Sequence, residues 1–245
     1  MDTTAIQRAL VALGYSLAVD GMMGPKTRIA VQTFQRGAGL AADGIVGTLT
    51  VAALQSAASK RGAGQPATKG QHLPADWMPA ARMKRIVVHW TAGAHRASGL
   101  DRRHYHILIE GDGKLVRGIP SIDLNDAREV KPGYAAHTLS CNTGSIGVSL
   151  CCMAGAVESP FNAGEAPMTR SQWEALPRVL ADLCRRYGIS VTPRTVLSHA
   201  EVQGTLGIKQ KGKWDISRLA FDQTVRGAQA CGDLFRAGTA SLLAT

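Results

Sequence analysis

The 245-residue sequence is short of aromatic residues, short of acids and free of long apolar runs. No stretch approaches the ~18 consecutive apolar residues that a membrane-spanning helix needs, so no transmembrane segment is expected. Met1-Asp2-Thr3-Thr4 carries no basic n-region, and Gln7 and Arg8 interrupt the apolar positions that follow. A secretory signal peptide is therefore not expected, and synthesis and folding are assigned to the cytoplasm. The five cysteines (Cys141, Cys151, Cys152, Cys184 and Cys231) include no C-x-x-C pair. They fit neither a disulfide framework nor a Cys-rich zinc site and read as buried reduced thiols. Although only 5% of residues are aromatic, 45% are hydrophobic and 19% charged, which is the composition of a soluble globular chain. The length allows one large domain or two unequal ones. With 28 Lys and Arg against 18 Asp and Glu, the formal net charge of +10 favours anionic partners. No basic stripe with interleaved aromatics accompanies that charge, so nucleic acid is not expected to be a partner.

What the sequence does contain begins with an internal repeat. Asp20-Gly21-Met22-Met23-Gly24-Pro25-Lys26-Thr27 aligns with Asp43-Gly44-Ile45-Val46-Gly47-Thr48-Leu49-Thr50, both reading D-G-x-x-G-x-x-T. Pro25 suits a first helical position, and Ile29, Val31 and Phe34 supply apolar residues as far as Gly37. The second turn leads into Val51 and Leu54. An earlier helix from Thr3 to Leu13 aligns Ile6, Leu10 and Leu13 and stops at Gly14. Residues 1–56 thus read as a small three-helix domain. Residues 57–80, rich in Ser, Gly, Pro, Gln and Lys, read as a linker. Most of the excess positive charge lies beyond residue 60.

Residues 81–245 read as an α/β domain, a mixed central sheet flanked by helices. Strand-like runs are Arg85 to Trp90, Tyr105 to Ile109, Lys114 to Arg117, Ser145 to Leu150 and Thr195 to His199. A helix opens on a capping box, Thr169 to Gln172, continues through Trp173, Leu176, Leu180, Leu183 and Tyr187, and closes at Gly188. Pro177 is expected to kink or restart it.

His89 and His199 each close a hydrophobic strand, so both imidazoles could project from one sheet edge into one cleft. Asp215 follows through a loop long enough to fold back across it. Two neutral imidazoles and one carboxylate leave a fourth tetrahedral position open on Zn²⁺, the arrangement of hydrolytic zinc. By spacing alone, the same histidines also read as structural or exposed.

Val87-Val88-His89-Trp90-Thr91-Ala92-Gly93, Tyr105-His106-Ile107-Leu108-Ile109 with Gly111-Asp112-Gly113, Ala136-His137, Asn142 with Ser145-Ile146-Gly147-Val148, Ser198-His199-Ala200-Glu201-Val202 and Lys213-Trp214-Asp215 occur in the order seen in type 2 N-acetylmuramoyl-L-alanine amidases. The resemblance spans about residues 83–219. That family includes phage endolysins, bacterial cell-wall amidases and peptidoglycan recognition proteins. The repeat of residues 1–55 resembles the peptidoglycan-binding module often joined to such enzymes, with Asp20, Gly24, Asp43 and Gly47 as its marker positions.

The resemblance implies hydrolysis of the amide between N-acetylmuramic acid and L-alanine by zinc-activated water. It implies His89, His199 and Asp215 as zinc ligands, Tyr105 and Lys213 as catalytic residues and His137 as a substrate contact. Ser149 stands where another branch of the family has Glu, which places this chain with the Tyr-using, phage-lysozyme-like branch. Strand alternation, however, puts Tyr105 on the face opposite His104 and His106, so the three should not serve one site. Glu201 is expected to orient a loop or ligand rather than act as base. The expected partner is peptidoglycan, both glycan strands and stem peptides. The expected protein is a monomeric phage or prophage-type endolysin that reaches the wall from the periplasm after release. The alternative is a non-catalytic peptidoglycan-recognition protein.

Overall fold

The computed structural model describes residues 1–13, 15, 17–62 and 72–244. The chain forms two compact units, Met1–Pro66 and Ala67–Thr245.

The first unit has three helices, α1 (Thr3–Ala12), α2 (Pro25–Gly37) and α3 (Thr48–Gly62). The Asp2 carboxylate accepts from the Ala5 amide at 2.7 Å and starts α1. Pro25 occupies the opening of α2, where its missing N–H costs nothing. Ile6, Leu10, Ala30, Val31, Phe34 and Leu54 form the core. α3 runs past residue 56, so the first part of the expected linker is helical. Residues 63–71, the middle of that linker, lie outside the described residues.

The repeat is clamped by two buried glutamines. Gln7 Nε2 donates to Asp20 Oδ1 at 2.7 Å, the Met22 carbonyl at 2.9 Å and Thr27 Oγ1 at 3.1 Å, while its Oε1 accepts from the Gly21 amide at 2.8 Å. Gln35 repeats the pattern with Asp43 at 2.9 Å, Ile45 at 2.9 Å, Thr50 at 3.0 Å and the Gly44 amide at 2.9 Å. Gly21 and Gly44 turn the chain at φ of 76° and 74°, the left-handed region that a side chain would strain.

The second unit is built on a five-stranded sheet of order β3-β2-β4-β1-β5. Its strands are β1 (Arg85–Trp90), β2 (Ile107–Ile109), β3 (Leu115–Arg117), β4 (Ser145–Leu150) and β5 (Val196–Ser198). β1, β2, β4 and β5 run parallel, and β3 is the antiparallel edge. The helices are α4 (Asp101–His104), α5 (Arg170–Tyr187), α6 (His199–Leu206) and α7 (Ala228–Leu243). A hairpin of β6 (Arg218–Leu219) and β7 (Asp222–Arg226), which the sequence did not announce, precedes α7.

β1 is buried on both faces. Ile86, Val88 and Trp90 join the main core, to which α5 and α7 contribute Leu176, Leu180 and Phe235. Val87, on the opposite face, packs with Leu197 and Val202. Burial on both sides explains why the strand reads as a continuous apolar run. The capping box of α5 forms as read, and Gln172 Nε2 also donates to the carbonyls of Ile109 and Cys151 at 2.9 and 2.8 Å. α5 does not restart at Pro177. Gly238 of α7 sits against that ring: a Cβ there would lie 3.1 Å from Pro177 Cγ.

Residues 72–80 belong to this unit rather than to a linker. Leu73 and Met78 are buried in the main core, and Asp182 accepts from the amides of His72 and Leu73. The five cysteines are free and buried, as expected. Among the described residues, no helix is long and apolar enough to cross a membrane.

Candidate functional site

The register of the sheet brings the two histidines together. Val88 of β1 pairs with Ser198 of β5. The next residues, His89 and His199, therefore stand level at the carboxyl edge of parallel strands, where open α/β sheets place their sites. β5 stops at Ser198, and His199 opens α6 instead of closing the strand. The loop after α6 returns to the same edge, where the Ala200 amide donates to the Asp215 carbonyl at 2.6 Å.

Three donor atoms converge there. His89 Nδ1 lies 3.1 Å from His199 Nδ1, and each Nδ1 is 3.2 Å from Asp215 Oδ2. Ligands about 2.0 Å from a tetrahedral ion sit about 3.3 Å apart, so this triangle has the dimensions of one face of a zinc site. Two imidazoles and a carboxylate also match the donor preference of Zn²⁺ better than the all-oxygen shells of Ca²⁺ or Mg²⁺. Among the described residues this is the cluster able to hold a metal ion. Burial lowers His89 to about 4, overriding the raising effect of Asp215, so the ring is neutral at pH 7 and keeps a lone pair to offer. Asp215 supplies the third donor, with one carboxylate oxygen facing both rings.

The cluster lies at the floor of a cleft of about 670 Å³, whose lining includes Trp90, Tyr105, His137, Lys211, Lys213 and Trp214. Trp90 and Trp214 meet edge to face at 4.7 Å and wall one side. Lys211 turns at φ 51° and Gly212 at 69°, delivering Lys213-Trp214-Asp215 to the opening. Lys213 is exposed at the cleft.

Tyr105 corrects the alternation argument. It is not in β2 but follows α4 as its C-terminal cap, so the two-residue period of the strand does not reach it. Its ring lies 5.1 Å from that of His89. Burial first, and the Asp215 charge second, push its phenol well above the ordinary tyrosine range, so it remains a neutral donor. His106 also precedes β2, and its ring lies 5.8 Å from that of His137. It joins the supporting web there: its Nε2 pairs with Asn125 Oδ1 at 3.0 Å, and its Nδ1 accepts from the Gly147 amide at 2.9 Å. His104 is exposed on α4.

Glu201 is committed elsewhere. It accepts from the amide and hydroxyl of Ser198 at 2.8 and 3.0 Å and from Arg236 of α7 at 2.8 and 3.1 Å. A Cβ on Gly232 would lie 2.4 Å from both carboxylate oxygens, so α7 needs glycine there. This pair ties the first turn of α6, and with it His199, to α7. Arg236 gave no signal in the sequence, because its position in a C-terminal helix resembles that of any solvated charge. Gln210 likewise went unread between two lysines.

His89, His199 and Asp215 at the carboxyl edge of a mixed α/β sheet are a donor set that could hold a metal ion. A family model described as N-acetylmuramoyl-L-alanine amidase matches residues 79–216, more than half of the chain, and the chain belongs to that family. A second model, described as a peptidoglycan binding domain, matches residues 2–54. No curated protein shows a significant match. Among solved structures, the Ph2119 endolysin from Thermus scotoductus MAT2119 bacteriophage Ph2119 aligns with 66% of this chain and 88% of its own, at 14% identity and a TM-score of 0.40. AmiD from E. coli, solved with anhydro-N-acetylmuramic acid-L-Ala-D-gamma-Glu-L-Lys, aligns over 50% of each chain at 25% identity and a TM-score of 0.36. Drosophila peptidoglycan recognition protein SD aligns with 51% of this chain and 79% of its own, at 19% identity and a TM-score of 0.32.

Proposed function

We propose that the protein is a zinc-dependent peptidoglycan amidase that cleaves between N-acetylmuramic acid and L-alanine, with His89, His199 and Asp215 holding the metal. The observation that carries this reading is the convergence of those donors to 3.1–3.2 Å at the floor of a cleft, in a chain of the amidase family. Zn²⁺ held there supplies Lewis acidity toward the scissile carbonyl and lowers the pKa of a water toward neutrality.

The chain's own groups do the rest. Tyr105, kept neutral by burial and by the Asp215 charge, donates a hydrogen bond to a reacting oxygen beside His89. Lys213 brings a cation to the cleft, where it stabilises the oxyanion of the tetrahedral intermediate. His199 and Asp215 are held in register by α6 and its tie to α7. Lys211 adds positive charge for the carboxylates of the stem peptide. We read the enzyme as a monomer. The presence of all three donors disfavours a purely recognitional role. The first unit, with Asp20, Gly24, Asp43 and Gly47 shaping its two turns, would hold the enzyme on the wall.

Digestion of purified sacculi should release new L-alanine amino termini, and chelation should stop it until Zn²⁺ is restored. Full activity in a rigorously metal-free preparation would sink the zinc assignment. We read the physiological role as that of a phage or prophage-type endolysin acting from the periplasm. Co-expression with a membrane pore should then lyse Gram-negative cells, and intact cells under those conditions would refute that role.

A further inference from the structure

We infer that His137 and Gln210 are positioning residues: each accepts the Nε2 proton of one metal-facing imidazole and so turns that ring's Nδ1 lone pair toward the centre. This rests on the zinc reading above.

On the His199 side, the orientation of the Gln210 amide is fixed by its neighbours. Its Nε2 donates to the carbonyls of Leu139 and Ile208 at 2.9 and 3.3 Å, and carbonyls only accept. Its Oε1 therefore faces His199 Nε2, at 2.9 Å. An oxygen that only accepts requires the hydrogen on Nε2, which leaves the lone pair of His199 on Nδ1. Gln210 is buried, and its own amide is anchored to Gln203 Oε1 at 3.0 Å.

On the His89 side the device is different and the result the same. His137 Nε2 lies 3.3 Å from the Ser145 carbonyl and must donate to it, so His137 Nδ1 is an acceptor. That acceptor is 3.2 Å from His89 Nε2 and 2.7 Å from Thr138 Oγ1. The Thr138 hydroxyl donates to His137 Nδ1, and its oxygen lies 3.4 Å from His89 Nε2, so the His137–Thr138 pair together takes the Nε2 proton of His89, whose lone pair stays on Nδ1. The pocket is built for this ring. A Cβ on Gly147 would lie 2.7 Å from His137 Cδ2 and Cγ, and Asn142 Oδ1 accepts from the amides of His137 and Thr138 at 3.1 and 2.9 Å. With both ring nitrogens engaged inside the protein, His137 has none left for a substrate hydrogen bond. This replaces the substrate contact that the resemblance implied.

The test titrates the metal-free full chain with Zn²⁺ against a chromophoric chelator, alongside thermal melting and kinetics on a soluble muramyl peptide. Loss of such a partner typically weakens metal binding about ten- to a hundredfold, and that is the expected effect of Gln210→Leu. Gln210→Met fills a similar space without an acceptor and should weaken zinc binding as much as Gln210→Leu. His137→Ala should weaken zinc binding about tenfold with KM unchanged. The inference is overturned if Gln210→Leu, Gln210→Met and His137→Ala, each melting like the wild type, also bind zinc like the wild type. A raised KM at unchanged zinc affinity in His137→Ala would restore the substrate contact. A folded wild-type chain that takes up no zinc overturns the metal reading itself, before any variant is made.

Discussion

Each of the two units builds polar clusters around buried side chains, with the exposed Asp20 and Asp43 closing those of the first, and the clusters differ in whether they are complete. In the first, Gln7, Asp20 and Thr27 match every donor with an acceptor, and the Met22 carbonyl and Gly21 amide close the set. Gln35, Asp43 and Thr50 do the same one repeat later. In the second, the facing atoms of His89, His199 and Asp215 lie 3.1–3.2 Å apart, and on the assignment proposed above they are acceptors whose protons point outward. A buried polar group costs free energy unless it is paired, so the first kind of cluster is architecture and the second calls for a cation. A polar cluster in a core thus reads as a site when its acceptors face one another, whatever residues compose it.

The strongest way to break that comparison is His199→Ala. It should abolish bound zinc, measured by elemental analysis, and cut amidase turnover by at least about a thousandfold, since even one oxyanion donor is worth on the order of 10²–10³. The first unit should melt unchanged. Next in size is Arg236→Ala, which strands the Glu201 carboxylate in the core. Breaking a buried pair costs about 3–5 kcal/mol, so urea unfolding of the second unit should shift by that amount, and zinc affinity should fall as α6 loosens. Tyr105→Phe and Lys213→Ala should each lower kcat by on the order of 10²–10³, about 3–4 kcal/mol of transition-state stabilisation, with zinc content and melting held. Near-normal turnover in Tyr105→Phe would leave that ring a packed aromatic.

Gln35→Ala sharpens the comparison from the other side. It leaves the buried Gly44 amide unpaired, at about 1–3 kcal/mol, and should destabilise the first unit while turnover of a soluble muramyl peptide stays constant. The smallest effect is expected from deleting residues 1–55, which should weaken retention on sacculi about tenfold through lost effective concentration. Undiminished digestion of sacculi would remove the anchoring role. A shorter fragment should begin no later than residue 72, because Leu73 and Met78 complete the core of the second unit.

Much of this was legible in the chain. The repeat announces two equivalent turns, but its clamp, Gln7 in Ile6-Gln7-Arg8 and Gln35 in Phe34-Gln35-Arg36, lies outside the repeated D-G-x-x-G-x-x-T segment. The strands β1 and β4 were read at the residues they occupy, since runs buried on both faces are apolar without interruption. Tyr105 was misplaced because a short helix ends just before it, and strand period applies only within a strand. α5 runs unbroken through Pro177, and the glycine that α7 places against its ring, 61 residues away, leaves no local signal.

The sequence by itself determined the three helices of the first unit, α5 and the strands β1 to β5 of the second, the two-fold repeat and the residue types of the His-His-Asp cluster, because periodicity, capping and turn chemistry act over a few neighbouring residues. Only the tertiary structure decided which nitrogen each imidazole presents. That choice depends on carbonyls and amides 11 to 71 residues away in the chain, from Gln210 at His199 to Leu139 at Gln210, and on the sheet register that sets His89 level with His199. Proton positions are settled by whichever acceptors the fold brings within about 3 Å, and no local pattern encodes them.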